Sequence, residues 1–299
     1  MRLRLATRRS PLALIQAAYV QRRLDVLGVA SELVEVVTSG DLQHDVALEM
    51  LGAQGVFTLE VQSAVLAGDA DVAVHSAKDL PSSTPDGLVL ACVPERRDPA
   101  DVLIGRSLAG LGPGATVATG SPRRRALLLE RRPDLRVIGL RGNMATRLAA
   151  VGKDGVDAVV AAAAALDRLG RDDVVSERLD PEWFVPQVGQ GSLALEARID
   201  DAATNAILAT INDLDAKSAL DAERAFLREL GAGCSIPAGA YATVVGTTVS
   251  LRGVMLALDG ARSVRAEVEG TDPGVLGRSL ALLLRDERGG GSLQGWQSA

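Results

Sequence analysis

The chain has 299 residues, 47% of them hydrophobic and 23% charged, with a formal net charge of −6, enough length for two or three compact units of roughly 100–150 residues each. Two cysteines and two histidines rule out a disulfide framework and a cysteine zinc cluster and leave little for a histidine metal site, so no metal is expected. No apolar run approaches the roughly 20 residues of a membrane span, and an acidic total with 2% aromatics argues against a nucleic-acid binder.

The first residues, Met1 to Ala6, read as a charged-apolar strand and not as a signal peptide, because no continuous apolar stretch follows. A reducing, cytoplasmic setting is therefore expected. Leu3 to Thr7 has the pattern of a strand, and Pro11 to Leu27 has helical spacing that stops at Gly28. Glu32–Thr38 alternates as a strand, Phe57–Leu66 follows as a helix, and Asp71–His75 and Leu88–Val93 are short buried strands. A strand-helix alternation of this kind predicts a parallel sheet covered by helices.

After a charged, proline-flanked join at Pro94–Pro99 the pattern starts again. Strands are expected at Thr116–Ala118, Leu135–Leu140 and Val156–Ala161, and helices at Pro122–Arg132, Asn143–Val151 and Ala163–Leu169. Ser192–Ala197 is strand-like and is placed to return to the first domain. Beyond Asp213 a long helix, Ala216–Leu230, precedes strand runs at Ala240–Val245, Val249–Leu258 and Ser263–Glu269 and a helix at Val275–Arg285, the order of a small α+β domain. The division expected is 1–95 with about 190–212, then 96–189, then 213–288, with a disordered glycine-rich tail over 289–299.

Two segments repeat one device. Thr7-Arg8-Arg9-Ser10-Pro11 and Thr119-Gly120-Ser121-Pro122-Arg123-Arg124 each follow the first strand of a domain. In both, Ser stands where a helix cap is favoured and Pro at the first helical position. A helix start offers unpaired N–H groups and the positive end of the helix dipole, and adjacent arginines add a bidentate grip on carboxylate or phosphate. Either segment alone is as readily ordinary capping; two copies in corresponding places point to an anionic ligand. Between residues 123 and 147 eight arginines face only Glu130 and Asp134. Of these, Arg141 and Arg147 flank a strand end, where open α/β sheets bind ligands. Lys78, one of only three lysines, and Asp79 follow the strand that ends at His75. Asp79 is a lone carboxylate among cations, although a surface Lys–Asp pair before Pro81 is the simpler reading of those two residues alone. Cys234, in Gly231-Ala232-Gly233-Cys234, is a thiol on a glycine-flanked loop, whereas Cys92 reads as a core residue.

Taken together, the stretches 6–14, Thr38–Asp41, Ala73–Pro81, Thr119–Arg124, Leu140–Asn143 with Thr146-Arg147, Val188–Gly191 and Ala232–Gly239 resemble the porphobilinogen deaminase (hydroxymethylbilane synthase) family in order and over nearly the whole chain. The resemblance implies two α/β domains like those of a type II periplasmic binding protein, a small C-terminal α+β domain, and a monomer. It implies a transferase that deaminates four porphobilinogen molecules and joins them head to tail into hydroxymethylbilane, for porphyrin biosynthesis. It also implies a dipyrromethane cofactor joined through a thioether to Cys234, with Lys78, Thr119, Ser121, Arg123, Arg124 and Gln190 around it. Arg8, Ser10, Arg141 and Arg147 would hold substrate, and Asp79 would be catalytic. The family often carries basic residues in the loop over 40–56, expected to act as a lid; here Gln54 and Leu59 stand in that region, which puts its substrate contacts in question. The alternatives are a two-domain anion-binding protein and an inactive member of the same fold.

Overall fold

A computed structural model describes residues 2–37, 58–231 and 236–296. In chain order the elements are β1 (Arg2–Arg8), α1 (Pro11–Val26), β2 (Ala30–Val36), α2 (Leu59–Leu66), β3 (Val72–Ser76), β4 (Leu88–Cys92), β5 (Asp101–Ile104), β6 (Thr116–Ala118), α3 (Pro122–Arg131), β7 (Arg136–Ile138), α4 (Met144–Ala150), β8 (Ala158–Ala162), α5 (Ala163–Leu169), β9 (Val175–Arg178), β10 (Leu193–Arg198), α6 (Ala202–Ala209), α7 (Leu214–Glu229), β11 (Ala238–Val245), β12 (Thr248–Leu256), β13 (Ser263–Gly270) and α8 (Pro273–Leu282). The chain divides into two units, 1–97 with 192–217 and 98–191 with 218–299.

The first unit is built on a five-stranded sheet in the order β2-β1-β3-β10-β4. β1 pairs parallel with β2 and β3, and β10 runs antiparallel to β3 and β4. Ser10 caps α1 by accepting from the Ala13 N–H, with Pro11 in the first turn. Ala17, Val20 and Leu24, three and four residues apart, form the buried stripe of α1 and pack on Leu3, Leu5, Val72 and Leu195. Val61 and Val65 of α2 cover Ala6 and Ala73 on the opposite face. Each fully buried Leu or Val contributes about 1.5–3 kcal/mol, so this alternation fixes the register.

The second unit repeats the arrangement with a sheet in the order β7-β6-β8-β5-β9. β6 pairs parallel with β7 and β8, and β5 runs antiparallel to β8 and β9. This unit also holds a three-stranded antiparallel sheet, β11-β12-β13. One face of that sheet packs on Phe226 of α7 and Leu280 of α8. Val254 and Leu256 of β12 join the core around Leu127 and Leu128 of α3. At the far end of α3, Glu130 accepts from the Ser263 hydroxyl at 2.5 Å and pairs with Arg265. The small sheet is thus fastened along the helix that carries Ser121 at its start.

The mixed α/β architecture with a small α+β portion agrees with the sequence reading. Three details differ. Each large sheet is mixed and not parallel, because one strand in each, β10 and β5, enters antiparallel beside β3 and β8. Strands β5 and β9 and helix α6 fall in segments where no element was expected. Residues 289–296 are not a disordered tail: a short 3-10 turn over Gly290–Ser292 leads Leu293 and Trp296 into the core of the small domain. There the Trp296 indole N–H donates to the Leu256 carbonyl at 2.9 Å. The loop over 40–56 and Cys234 lie outside the described residues. None of the described helices is long and apolar enough to cross a membrane.

Candidate active site

In the first unit, the ends of β1 and β3 place Arg8, Ser10 and Asp79 along one edge of the sheet. They line a single cavity of about 50 Å³ together with Gln16, Thr58, His75 and Ser76. Ser10 is held there because its hydroxyl caps α1. Asp79 closes a 3-10 turn over Ala77–Asp79 that begins at once where β3 ends. The turn is anchored by the Ala77 N–H, which donates to the Ser192 carbonyl at 3.0 Å. Gln16 of α1 donates to the Ser76 hydroxyl at 2.8 Å, joining helix and strand end. Asp79 itself is exposed and Lys78 half-buried. The cavity therefore brings a guanidinium, a helix N-terminus and an exposed carboxylate together, a set suited to an acidic ligand that also carries an N–H or a positive charge.

In the second unit, the corresponding edge holds Thr119, Ser121, Arg141 and Arg147. Ser121 caps α3 by accepting from the Arg124 N–H at 3.4 Å, and the Thr119 hydroxyl accepts from the Ser121 N–H at 3.2 Å. Asn143 caps α4 by accepting from the Thr146 N–H at 3.0 Å. Before it, Gly142 takes φ +103, left-handed backbone that disfavours any side chain. The Arg147 Nε donates back to the Gly142 carbonyl at 3.0 Å, and Arg141 is exposed.

Arg123 and Arg124 are placed differently from the others. Both are buried, and both bind the fully buried Asp101 of β5. Arg123 Nη2 donates to Asp101 Oδ2 at 2.7 Å, and Arg124 donates to Oδ1 from Nη2 at 2.6 Å and from Nε at 2.9 Å. Arg123 Nη1 also donates to the Val185 carbonyl at 2.6 Å, and its guanidinium lies over the Phe184 ring at 5.7 Å. Gln190, fully buried, donates to Asp101 Oδ1 at 2.9 Å and to the Pro99 carbonyl at 2.7 Å. Burial pushes the Asp101 carboxyl up, but the charges of Arg123 and Arg124 and the hydrogen bonds from Arg123 and Gln190 outweigh it and hold it at about 2. Two cations and one anion leave this cluster with net positive charge behind the N-terminus of α3.

Asp101 is the member of this group that the sequence reading missed. Its signal was an acid opening the short apolar run Asp-Val-Leu-Ile, with an arginine pair 22 and 23 residues on. Cys234 precedes β11, and the start of that strand lies against the same cluster. A Cβ added to Gly239 would stand 2.7 Å from the Val185 carbonyl oxygen and 3.1 Å from Arg123 Cδ, so only glycine admits this approach. Cys92 is a core residue of β4, and burial pushes its thiol up to about 12.

Two mixed sheets, each ending in a serine-capped, arginine-flanked helix start, with a carboxylate beside one of them, define an α/β protein for acidic ligands. Comparison with known proteins carries this further. Residues 3–206 match the family model described as porphobilinogen deaminase, dipyromethane cofactor binding domain, and residues 218–286 match porphobilinogen deaminase, C-terminal domain. The chain belongs to the porphobilinogen deaminase family. Curated relatives carrying that name include one from Trichlorobacter lovleyi, 43% identical over 94% of this chain and 92% of its own length. A second, from Syntrophotalea carbinolica, is 44% identical over 88% of this chain and 85% of its own. A third, from Roseiflexus castenholzii, is 43% identical over 98% of this chain and 99% of its own.

The donor set in the second unit fits a dipyrromethane. The acetate and propionate groups of such a compound need N–H donors and positive charge in one place. The capped start of α3, backed by the net charge of the arginine cluster, supplies both.

Proposed function

We propose that this chain is a porphobilinogen deaminase that joins four porphobilinogen units head to tail into hydroxymethylbilane and releases an ammonia at each condensation. The observation that carries the reading is the cavity shared by Arg8, Ser10 and Asp79. Porphobilinogen presents two carboxylates, a pyrrole N–H and an aminomethyl group, and each has a complement on that cavity. Arg8 and the N–H groups at the start of α1 bind carboxylate. Asp79 accepts from the pyrrole N–H. When the C–N bond of the protonated aminomethyl group breaks, ammonia leaves with the bonding electron pair and the positive charge passes from the nitrogen to the methylene and spreads over the ring. Asp79 faces that charge and stabilises it, the kind of electrostatic effect that dominates many enzymic rate enhancements. The free α-carbon of a second pyrrole then forms the new C–C bond to the methylene and gives up its proton, which restores the ring.

Cys234 would anchor the dipyrromethane in this reading, and that group would supply the α-carbon to which the first unit is added. Thr119, Ser121 and the start of α3 hold its carboxylates, Arg123 and Arg124 supply the charged backing, Gln190 helps hold the Asp101 that pairs with them, and Lys78 adds a cation on the first unit. Arg141 and Arg147 hold the carboxylates of the lengthening chain. The protein works as a monomer in the cytoplasm, without nucleic acid or membrane. The test is ammonia release from porphobilinogen by the purified protein and by Asp79→Asn. Wild type releases ammonia, and the variant folds normally but loses on the order of 100-fold or more in rate. Near-normal turnover by the variant refutes the role given to Asp79.

A further inference from the structure

One buried carboxylate in the first unit is unused by the mechanism above. β10 reads Leu-Ala-Leu-Glu-Ala-Arg, and Glu196 within it is fully buried. Burying a carboxylate costs several kcal/mol, and an apolar set of similar volume in place of the acid and its partners is often as stable or more so. Stability is therefore a poor reason for an acid at this position.

Two side chains converge on it. From α2, Gln62 Nε2 donates to Glu196 Oε2 at 2.7 Å. From β3, His75 Nε2 lies 3.4 Å from the same oxygen, within ion-pair distance but outside hydrogen-bond geometry. In the β3–β10 register, His75 stands opposite Ala194 and Glu196 opposite Ala73. The two-residue repeat of a strand puts all four on one face, the face that α2 covers. His75 is also part of the cavity wall that holds Asp79. A buried polar row thus starts on α2 with a hydrogen bond to β10, continues as a close contact to His75, and ends four residues before the catalytic carboxylate.

We propose that Glu196 is a positioning residue for the deamination: held by Gln62, its carboxylate fixes the His75 side chain and with it the end of β3 from which Asp79 is presented. This inference rests on the deaminase reading and assigns that site one more working part. Arg8 and Ser10, which bind the substrate's carboxylates, do not belong to the row, so the larger part of substrate binding is kept. The alignment of Asp79 with the developing charge is what suffers, and a displacement of about 1 Å at a reacting centre can cost on the order of 100-fold.

The experiment uses the full-length, cofactor-loaded protein, with cofactor content checked by intact mass, and measures ammonia release and thermal melting for Glu196→Leu, Glu196→Gln and Gln62→Met. Glu196→Leu is expected to lose about tenfold or more in kcat with KM within about twofold, while the melting temperature falls by only a few degrees because Gln62 loses its acceptor. Glu196→Gln, which keeps an acceptor for Gln62, is expected to recover most of that loss. Gln62→Met is expected to show a milder form of the same split, and it decides the matter should Glu196→Leu fail to fold. Wild-type kcat in Glu196→Leu, or in Gln62→Met when that variant decides, overturns the proposal. A joint fall of kcat and substrate affinity with a large drop in melting temperature also overturns it, since that is the mark of a structural role. A wild type that releases no ammonia defeats the deaminase reading instead.

Discussion

Replacing Asp101 with Asn should destabilise the second unit severely while leaving its shape almost unchanged. Asp101 is fully buried and receives hydrogen bonds from Arg123 at 2.7 Å and from Arg124 at 2.6 Å. An amide of the same size removes the negative charge and turns one acceptor into a donor facing a guanidinium. Two buried cations are then left unmatched. Breaking a buried ion pair by deleting one partner costs about 3–5 kcal/mol, and a domain is stable by only about 5–15 kcal/mol. At about 2–4 °C per kcal/mol for a unit of this size, the melting temperature should fall by roughly 10 °C. Calorimetry or circular dichroism on the two proteins measures this directly. A melting temperature within about 2 °C of wild type would refute the claim that Asp101 holds the arginine pair in place.

The same carboxylate makes the fold acid-sensitive. Its folded-state value of about 2 lies below the ordinary 3.8, so its contribution is complete above about pH 4 and is lost as pH falls through 2. The difference corresponds to about 2 kcal/mol; urea unfolding between pH 5 and pH 2 should show it in wild type and not in Asp101→Asn. Cys92, buried with its thiol raised to about 12, should resist thiol reagents in the folded protein and react only on unfolding. Arg141→Leu should slow later additions of porphobilinogen more than attachment of the cofactor; equal effects on both would contradict the division of roles proposed for the second unit.

Most of the fold was legible because its signals are local. Ser10 before Pro11 and Ser121 before Pro122 announced α1 and α3, and both serines do cap those helices. What escaped depends on distant partners. β5 is four residues long and pairs with β8 and β9, more than 50 and 70 residues on, and nothing within Asp-Val-Leu-Ile records that. The antiparallel entry of β10 and β5 is a property of the assembled sheet, invisible to periodicity. α6 had a usable signal in Asp201, which caps it by accepting from the Thr204 N–H. The glycine-rich end misled because composition outweighed two residues, Leu293 and Trp296, that reach the core. The sequence places arginines 123 and 124 beside a helix start as a grip on anions, with nothing to mark them as buried. Their burial follows from Asp101, whose partners cannot be inferred without the third dimension.

The most direct test is intact-mass spectrometry of the purified protein before and after addition of limiting porphobilinogen, with Cys234→Ser in parallel. The account predicts a starting mass above that of the chain by one dipyrromethane, then a ladder of species each heavier by one pyrrole unit, with both features absent from the variant. An unmodified chain that releases ammonia from porphobilinogen without ever gaining mass would contradict it.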